Sequence, residues 1–223
     1  LTTWSSVDSS AGYFCSVFAI KTDGTLWSWG NNASGQLGLG NTTYYSSPKQ
    51  IGALTTWSKV AAGGDQFACA VKTDGTLWTW GKNGQGQLGI GNTSSYFSPR
   101  QVGSLTTWLS VSAGYTFTMA VKTDGTLWGW GNNSNGQLGI GNLTKYSSPK
   151  QVGSLTNWSV IVADYYESLA IKTDGTLWGW GYNAYGNLGL GNTTQYSSPV
   201  QVGTKTTWKT ISAKRLAVLS TFA

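Results

Sequence analysis

Lys21-Thr22-Asp23-Gly24-Thr25-Leu26-Trp27-Ser28-Trp29-Gly30 returns almost unchanged three more times, beginning at Lys72, Lys122 and Lys172. The intervals are 51, 50 and 50 residues, and every copy ends in Trp-x-Trp-Gly. A chain with such a period is an array of one supersecondary unit, and no single residue can be given a role before the unit is understood.

On the N-terminal side of the motif runs an apolar stretch, clearest in Phe67-Ala68-Cys69-Ala70-Val71 and Phe117-Thr118-Met119-Ala120-Val121. It leads into Asp-Gly, a strong short-range hairpin signal, because Gly accepts positive φ and Asp hydrogen-bonds its own backbone. Beyond the turn, Thr76-Leu77-Trp78-Thr79-Trp80 has the period of a strand, with Trp78 and Trp80 on one face and Leu77 on the other. An identical aromatic pair in every unit suits stacking between neighbouring sheets better than a ligand shelf, and makes the pair the expected core of each unit.

Farther out, Leu37 and Leu39 stand among glycines 35, 38 and 40, which recur at 86, 89 and 91, at 136, 139 and 141, and at 186, 189 and 191. Glycines held at fixed positions mark set backbone conformations rather than a flexible linker. Their Gly-x-x-Gly-x-Gly spacing is no dinucleotide fingerprint, because no strand-then-helix context accompanies it. Pro48, Pro99, Pro149 and Pro199 then precede Gln-Ile/Val-Gly, read as a short outer strand with Pro at its start. A leading Leu-Thr-Thr-Trp phrase supplies the remaining strand, with Trp and a β-branched residue as its buried contributions. Four short strands per repeat is the make-up of a propeller blade. The expected fold is therefore all-β, with units at about 1–53, 54–104, 105–154 and 155–204 and a partial fifth at 205–223. That fifth copy lacks the Asp-Gly hairpin and ends in an apolar stretch, Leu216 to Ala223, which is expected to close or cap the array.

Composition agrees. Gly 31, Trp 13 and Tyr 11 against Met 1 and His 0 favour turns and sheets over helices. The net charge of +6 arises outside the repeat core, in Lys49, Arg100 and Lys150 and in a C-terminal cluster that includes Lys214 and Arg215. With only 10% charged residues, this reads as a solvated surface rather than a nucleic-acid footprint. Cys15 and Cys69 lie three positions apart in repeat register and are expected to be unpaired core thiols. Sequons at Asn41, Asn92, Asn142 and Asn192, with others at Asn32 and Asn157, read as turn asparagines that would become glycan sites in a eukaryotic secretory pathway. No apolar run is long enough to span a bilayer, and a start at Leu1 without Met reads as a processing boundary.

Taken together, Ala-Gly, Asp-Gly-x-Leu-Trp-x-Trp-Gly, Asn-x-x-Gly-Gln-Leu-Gly and Pro-x-Gln-Val-Gly resemble the regulator of chromosome condensation repeat family over residues 1 to 213. The resemblance implies a β-propeller, commonly of seven blades. Its members include a chromatin-bound exchange factor for a small GTPase, membrane-associated and signalling proteins, and a secreted bacterial inhibitor of β-lactamases. The wording Leu-Trp-x-Trp-Gly is closer to bacterial or phage versions. The family often has His four residues after the Ala of Ala-Gly, where this chain has Cys15, Gln66, Phe117, Glu167 and Ala217, so roles that depend on those histidines are not carried over. Four units and a fifth beginning leave three expectations: part of a seven-bladed ring, a smaller or open array, or a ring completed by several chains.

Catalysis finds little support. Without histidine there is no Ser/His or Cys/His nucleophile, and the few acids outside the hairpins include Asp65 and Glu167, with nothing to make them a working carboxylate pair. Two cysteines and no histidine exclude the usual zinc sites, and no cofactor is expected. The expected function is a structural or protein-binding scaffold that presents variable loops, with a protein partner or copies of itself. The variable positions follow Ala-Gly: Tyr13 and Phe14, Asp65 and Gln66, Tyr115 and Phe117, then Tyr165, Tyr166 and Glu167. Glycan binding at these loops is one alternative. Nucleic-acid, chromatin or small-GTPase association, using Lys49, Arg100, Lys150, Lys214 and Arg215, is another. Low charge and abundant Thr, Ser, Asn and Gly point to an extracellular, cell-surface or virion setting, with a cytoplasmic one left open.

Overall fold

In the computed structural model, which describes residues 3–10 and 15–212, sixteen strands form four antiparallel four-stranded sheets. The first holds β1 (Trp4–Ser9), β2 (Ser16–Lys21), β3 (Leu26–Gly30) and β4 (Tyr45–Gln50). The second holds β5 (Trp57–Gly63), β6 (Phe67–Lys72), β7 (Leu77–Gly81) and β8 (Tyr96–Gln101). The third holds β9 (Trp108–Ala113), β10 (Phe117–Lys122), β11 (Leu127–Gly131) and β12 (Tyr146–Gln151). The fourth holds β13 (Trp158–Ala163), β14 (Glu167–Lys172), β15 (Leu177–Gly181) and β16 (Tyr196–Gln201). Each sheet is a simple meander, so each repeat is one blade.

The motif forms the hairpin between the second and third strands of every blade. In the third blade, Gly125 takes φ +76° and its N–H donates to the Lys122 carbonyl. Asp124 Oδ1 accepts from the Thr126 N–H at 2.9 Å and from the Thr126 hydroxyl at 2.6 Å, and that hydroxyl accepts the Trp128 indole N–H at 2.8 Å. The same three bonds recur at Asp23, Asp74 and Asp174. The turn glycine's carbonyl accepts the backbone N–H of the next unit's leading tryptophan, from Gly24–Trp57 to Gly175–Trp208, so even the partial fifth unit begins in register.

The Thr76 hydroxyl and N–H hold the Asp74 carboxyl below its usual 3.8, with Lys72 adding to the effect, and the other three repeat aspartates behave alike. A carboxylate with a lowered folded-state pKa contributes stability above its unfolded value, and that stability is lost as pH falls through the folded value. Urea midpoints should therefore fall between pH 5 and pH 2. Thr126→Val, which removes both the hydroxyl donor to Asp124 and the acceptor of Trp128, is expected to cost about 1–2 kcal/mol at neutral pH and to flatten that pH dependence.

Packing is shared between blades. One cluster joins Phe18, Ile20, Leu26 and Ile51 of the first blade to Trp57, Ala68 and Trp80 of the second. A second joins Cys69, Val71, Leu77 and Val102 to Trp108 and Trp130, and a third joins Phe117, Met119, Leu138 and Val152 to Trp158 and Trp180. The two tryptophans of Trp-x-Trp divide the work. The first remains half-buried with its indole on the repeat threonine, whereas Trp80, Trp130 and Trp180 are wholly buried and donate to the carbonyls of Gln36, Gln87 and Gln137 in the preceding blade. At the first blade the described residues place no neighbour against the corresponding face, and Trp4 and Val7 are 48% and 67% exposed. Among the described residues no extended strand contact joins the first and fourth sheets.

Details of the sequence reading change. The outer strands start at tyrosine and carry Pro inside them, as an edge position allows, while Ile51, Val102 and Val152 follow the strands as buried anchors. Cys69 is a buried free thiol within β6, but Cys15, three positions away in register, stands exposed ahead of β2 and is not core. The asparagines of the four recurring sequons close turns; Asn142 Oδ1 accepts the Thr144 N–H at 2.9 Å. The apolar end, Leu216 to Ala223, lies outside the described residues.

Candidate functional site

At the end of the blades opposite the Asp-Gly hairpins, the first two strands of the second, third and fourth blades are joined by short loops. The extra residue in the 51-residue interval falls here, between β5 and β6, where Gln66 takes φ +61°. These loops hydrogen-bond to one another in series. The Gly64 and Asp65 N–H groups donate to the Gly114 and Tyr115 carbonyls at 3.0 and 2.8 Å, and the Tyr115 N–H donates to the Asp164 carbonyl at 3.2 Å. Backbone bonds of this kind give three separate blades one continuous platform.

On this platform the tyrosines of two loops meet. Tyr115 and Tyr165 lie 4.4 Å apart between ring centroids, as do Tyr165 and Tyr166. Tyr166 continues to Tyr182 at 6.4 Å, and Tyr182 to Tyr185 at 6.1 Å. Tyr185 is 75% exposed at the tip of this aromatic run. Burial, then the neighbouring Tyr165, pushes the Tyr166 phenol up to about 12, and burial followed by Asp65 raises Tyr115, so both stay neutral hydrogen-bonding groups at physiological pH. Asp65 pairs with Lys82 at 2.9 Å, and Asp164 adds a second, half-buried carboxylate.

The other sequence candidates separate. Phe117 is fully buried in the junction between the third and fourth blades and is a core residue, not a contact residue. Gln66 is buried as well, with its side-chain oxygen accepting the Ser34 hydroxyl. Glu167 is buried and supports the platform: its carboxylate accepts the Tyr166 N–H at 3.1 Å and the Asn187 amide at 2.8 Å. Lys49, Arg100 and Lys150 sit on the outer strands of three different blades, stacked over Tyr45, Tyr96 and Tyr146 at 5.5, 4.9 and 5.3 Å. Tyr13, Phe14, Lys214 and Arg215 lie outside the described residues. Sequence reading missed Tyr182, Tyr185 and Lys82. The signal was present, because the residue directly after the invariant Trp-x-Trp-Gly is variable: Asn31, Lys82, Asn132 and Tyr182.

Among the described residues no group of three metal-ligating side chains occurs, and no helix is long and apolar enough to cross a membrane. What the platform offers is rigid ring surface, phenol hydroxyls and carboxylates.

Comparison with known proteins agrees with the geometry. A stretch of 85 residues is 44% identical to mouse Protein RCC2, covering 37% of this chain and 16% of that protein. Among solved structures, Prp20p from Saccharomyces cerevisiae, studied for its binding to Gsp1p and histones, superposes with a TM-score of 0.79 at 19% identity, over 91% of this chain and 51% of Prp20p. Human WBSCR16 superposes with a TM-score of 0.76 at 23% identity, over 90% of this chain and 52% of that one. The chain thus spans about half the length of these solved relatives. The matches overturn two expectations. The relatives are eukaryotic rather than bacterial or phage proteins, and histone binding by Prp20p is at odds with an extracellular, cell-surface or virion setting. The model of the regulator of chromosome condensation (RCC1) repeat matches residues 23–71, 74–121, 124–165 and 174–213, each match starting at the Asp-Gly hairpin of one blade and running past its fourth strand, and the chain belongs to that family.

Proposed function

We infer that this chain is a non-catalytic, protein-binding propeller scaffold whose tyrosine platform takes a basic segment of a chromatin-associated partner. The observation that carries the reading is the aromatic run from Tyr115 to Tyr185, fixed on loops hydrogen-bonded across blades, with the Asp65–Lys82 ion pair beside it. Tyrosine rings give contact area at low entropic cost, and lysine or arginine side chains are attracted to both ring faces and carboxylates. Histones are basic proteins, and the structural likeness to Prp20p supports them as the partner class.

The test is titration of the chain with core histones, alongside a small GTPase of the Gsp1p kind, comparing wild type with Tyr165→Ala and Tyr185→Ala together. Histone binding weakened about tenfold or more by the double variant is expected. Histone binding left unchanged, or binding of the GTPase alone, would overturn the reading.

A further inference from the structure

The lysine that opens each motif makes no hydrogen bond or ion pair with the motif's aspartate, whose carboxylate is held by the neighbouring threonine. Lys72, Lys122 and Lys172 are only 8%, 7% and 7% exposed, and among the described residues no carboxylate or hydrogen-bond acceptor of the protein lies within bonding distance of their ammonium groups. Each ammonium instead sits over two indoles. Lys122 Nζ is 3.7 Å from the Trp128 ring centroid and 4.9 Å from that of Trp108, and Lys72 and Lys172 repeat the arrangement on their own tryptophan pairs. The stem of each lysine is buried against the rings while its ammonium reaches the surface, held over the indoles by cation–π attraction. Burial pulls the Lys122 pKa down, with Asp124 opposing it.

Lys122 faces a groove of about 420 Å³ between the second and third blades. Its lining is largely apolar, with Ile90, Val102, Leu105 and Pro149 among it, and no carboxylate lines it. Leu105 is half-exposed there, and the buried indole N–H of Trp108, another lining residue, also lacks an acceptor. The volume is that of a small-ligand site. Because Lys122 and Tyr115 lie at opposite ends of the same hairpin, this groove is separate from the tyrosine platform.

We propose that the groove binds a carboxylate carried on a branched apolar stem, the carboxylate on the Lys122 ammonium and the stem against Ile90, Val102 and Leu105. The junctions at Lys72 and Lys172 repeat the lysine and its two tryptophans and present further copies of the site. A peptide ending in leucine and a free branched-chain acid share this chemistry.

The intact chain is titrated with 4-methylpentanoate, with its amide, and with a short peptide ending in Gly-Leu, either free or amidated at the C-terminus. Heat of binding and tryptophan fluorescence are the readouts. Saturable binding of a carboxylate form, about tenfold or more tighter than its amide, is expected. Response to the peptide alone identifies a protein C-terminus as the source, and response to both ligands identifies the acid itself. The triple variant Lys72→Met, Lys122→Met, Lys172→Met should lose binding while retaining the wild-type sheet spectrum. Should that variant fail to fold, the acid-against-amide comparison on the unaltered chain still decides. No saturable binding of either carboxylate, equal binding of the amides, or full binding by a folded triple variant overturns the proposal.

Discussion

Trp130→Ala should destabilise the array by about 3–5 kcal/mol, the range for deleting a large aromatic side chain from a close-packed core. Trp130 is wholly buried, meets Trp108 at 5.8 Å between centroids, and fills the junction between the second and third blades. Its indole N–H donates to the Gln87 carbonyl at 2.9 Å, which also accepts the Thr118 hydroxyl at 2.8 Å, so truncation leaves that carbonyl with one partner and a cavity beside it. Trp29 occupies the same repeat position in the first blade, where the described residues place no preceding blade against it, and it is only half-buried. Trp29→Ala should therefore cost far less, about 1 kcal/mol. Denaturant midpoints at equal slope measure both; similar losses for the two would mean that the cost belongs to the blade rather than to the junction.

The second large effect is expected at Gly139, again with its control inside the molecule. Gly139 has φ +73°, and a Cβ placed there would lie 2.7 Å from Trp180 Nε1 of the following blade. Gly189 has nearly the same backbone, φ +69°, yet its Cβ would meet only a Val202 methyl at 3.3 Å, because the described chain places no tryptophan against it. Both alanine variants incur left-handed strain of about 1–2 kcal/mol. Gly139→Ala must also displace Trp180 from its bond to Gln137, adding about 1–3 kcal/mol of overpacking. Unfolding midpoints should separate the two variants clearly. Equal midpoints would show that backbone conformation alone fixes this glycine.

Much of this architecture was legible in the repeat itself. Asp-Gly marked the hairpin, period-two Trp-x-Trp marked the strand, and the spacing of glycines and prolines marked the rest of the blade. What one unit could not show was the unequal use of its two tryptophans, since that depends on which neighbour each ring meets. The site was partly legible for the same reason. Tyr115, Tyr165 and Tyr166 fall at visibly variable positions, but Tyr182 and Tyr185 join them only because the loop after β15 folds back over the same end of the blade. Phe117 misled because its position along the loop resembles that of the tyrosines, whereas as the first residue of β10 it already points into a junction.

Each core cluster is assembled from halves of two successive blades, so no blade owns a core and every joint between blades does. The start point of the repeat is then arbitrary. Duplicating any 50-residue window, wherever its ends fall within the period, inserts one complete blade together with one complete joint. An array of this kind can lengthen by unequal recombination at any point along the unit without ever passing through a half-packed intermediate.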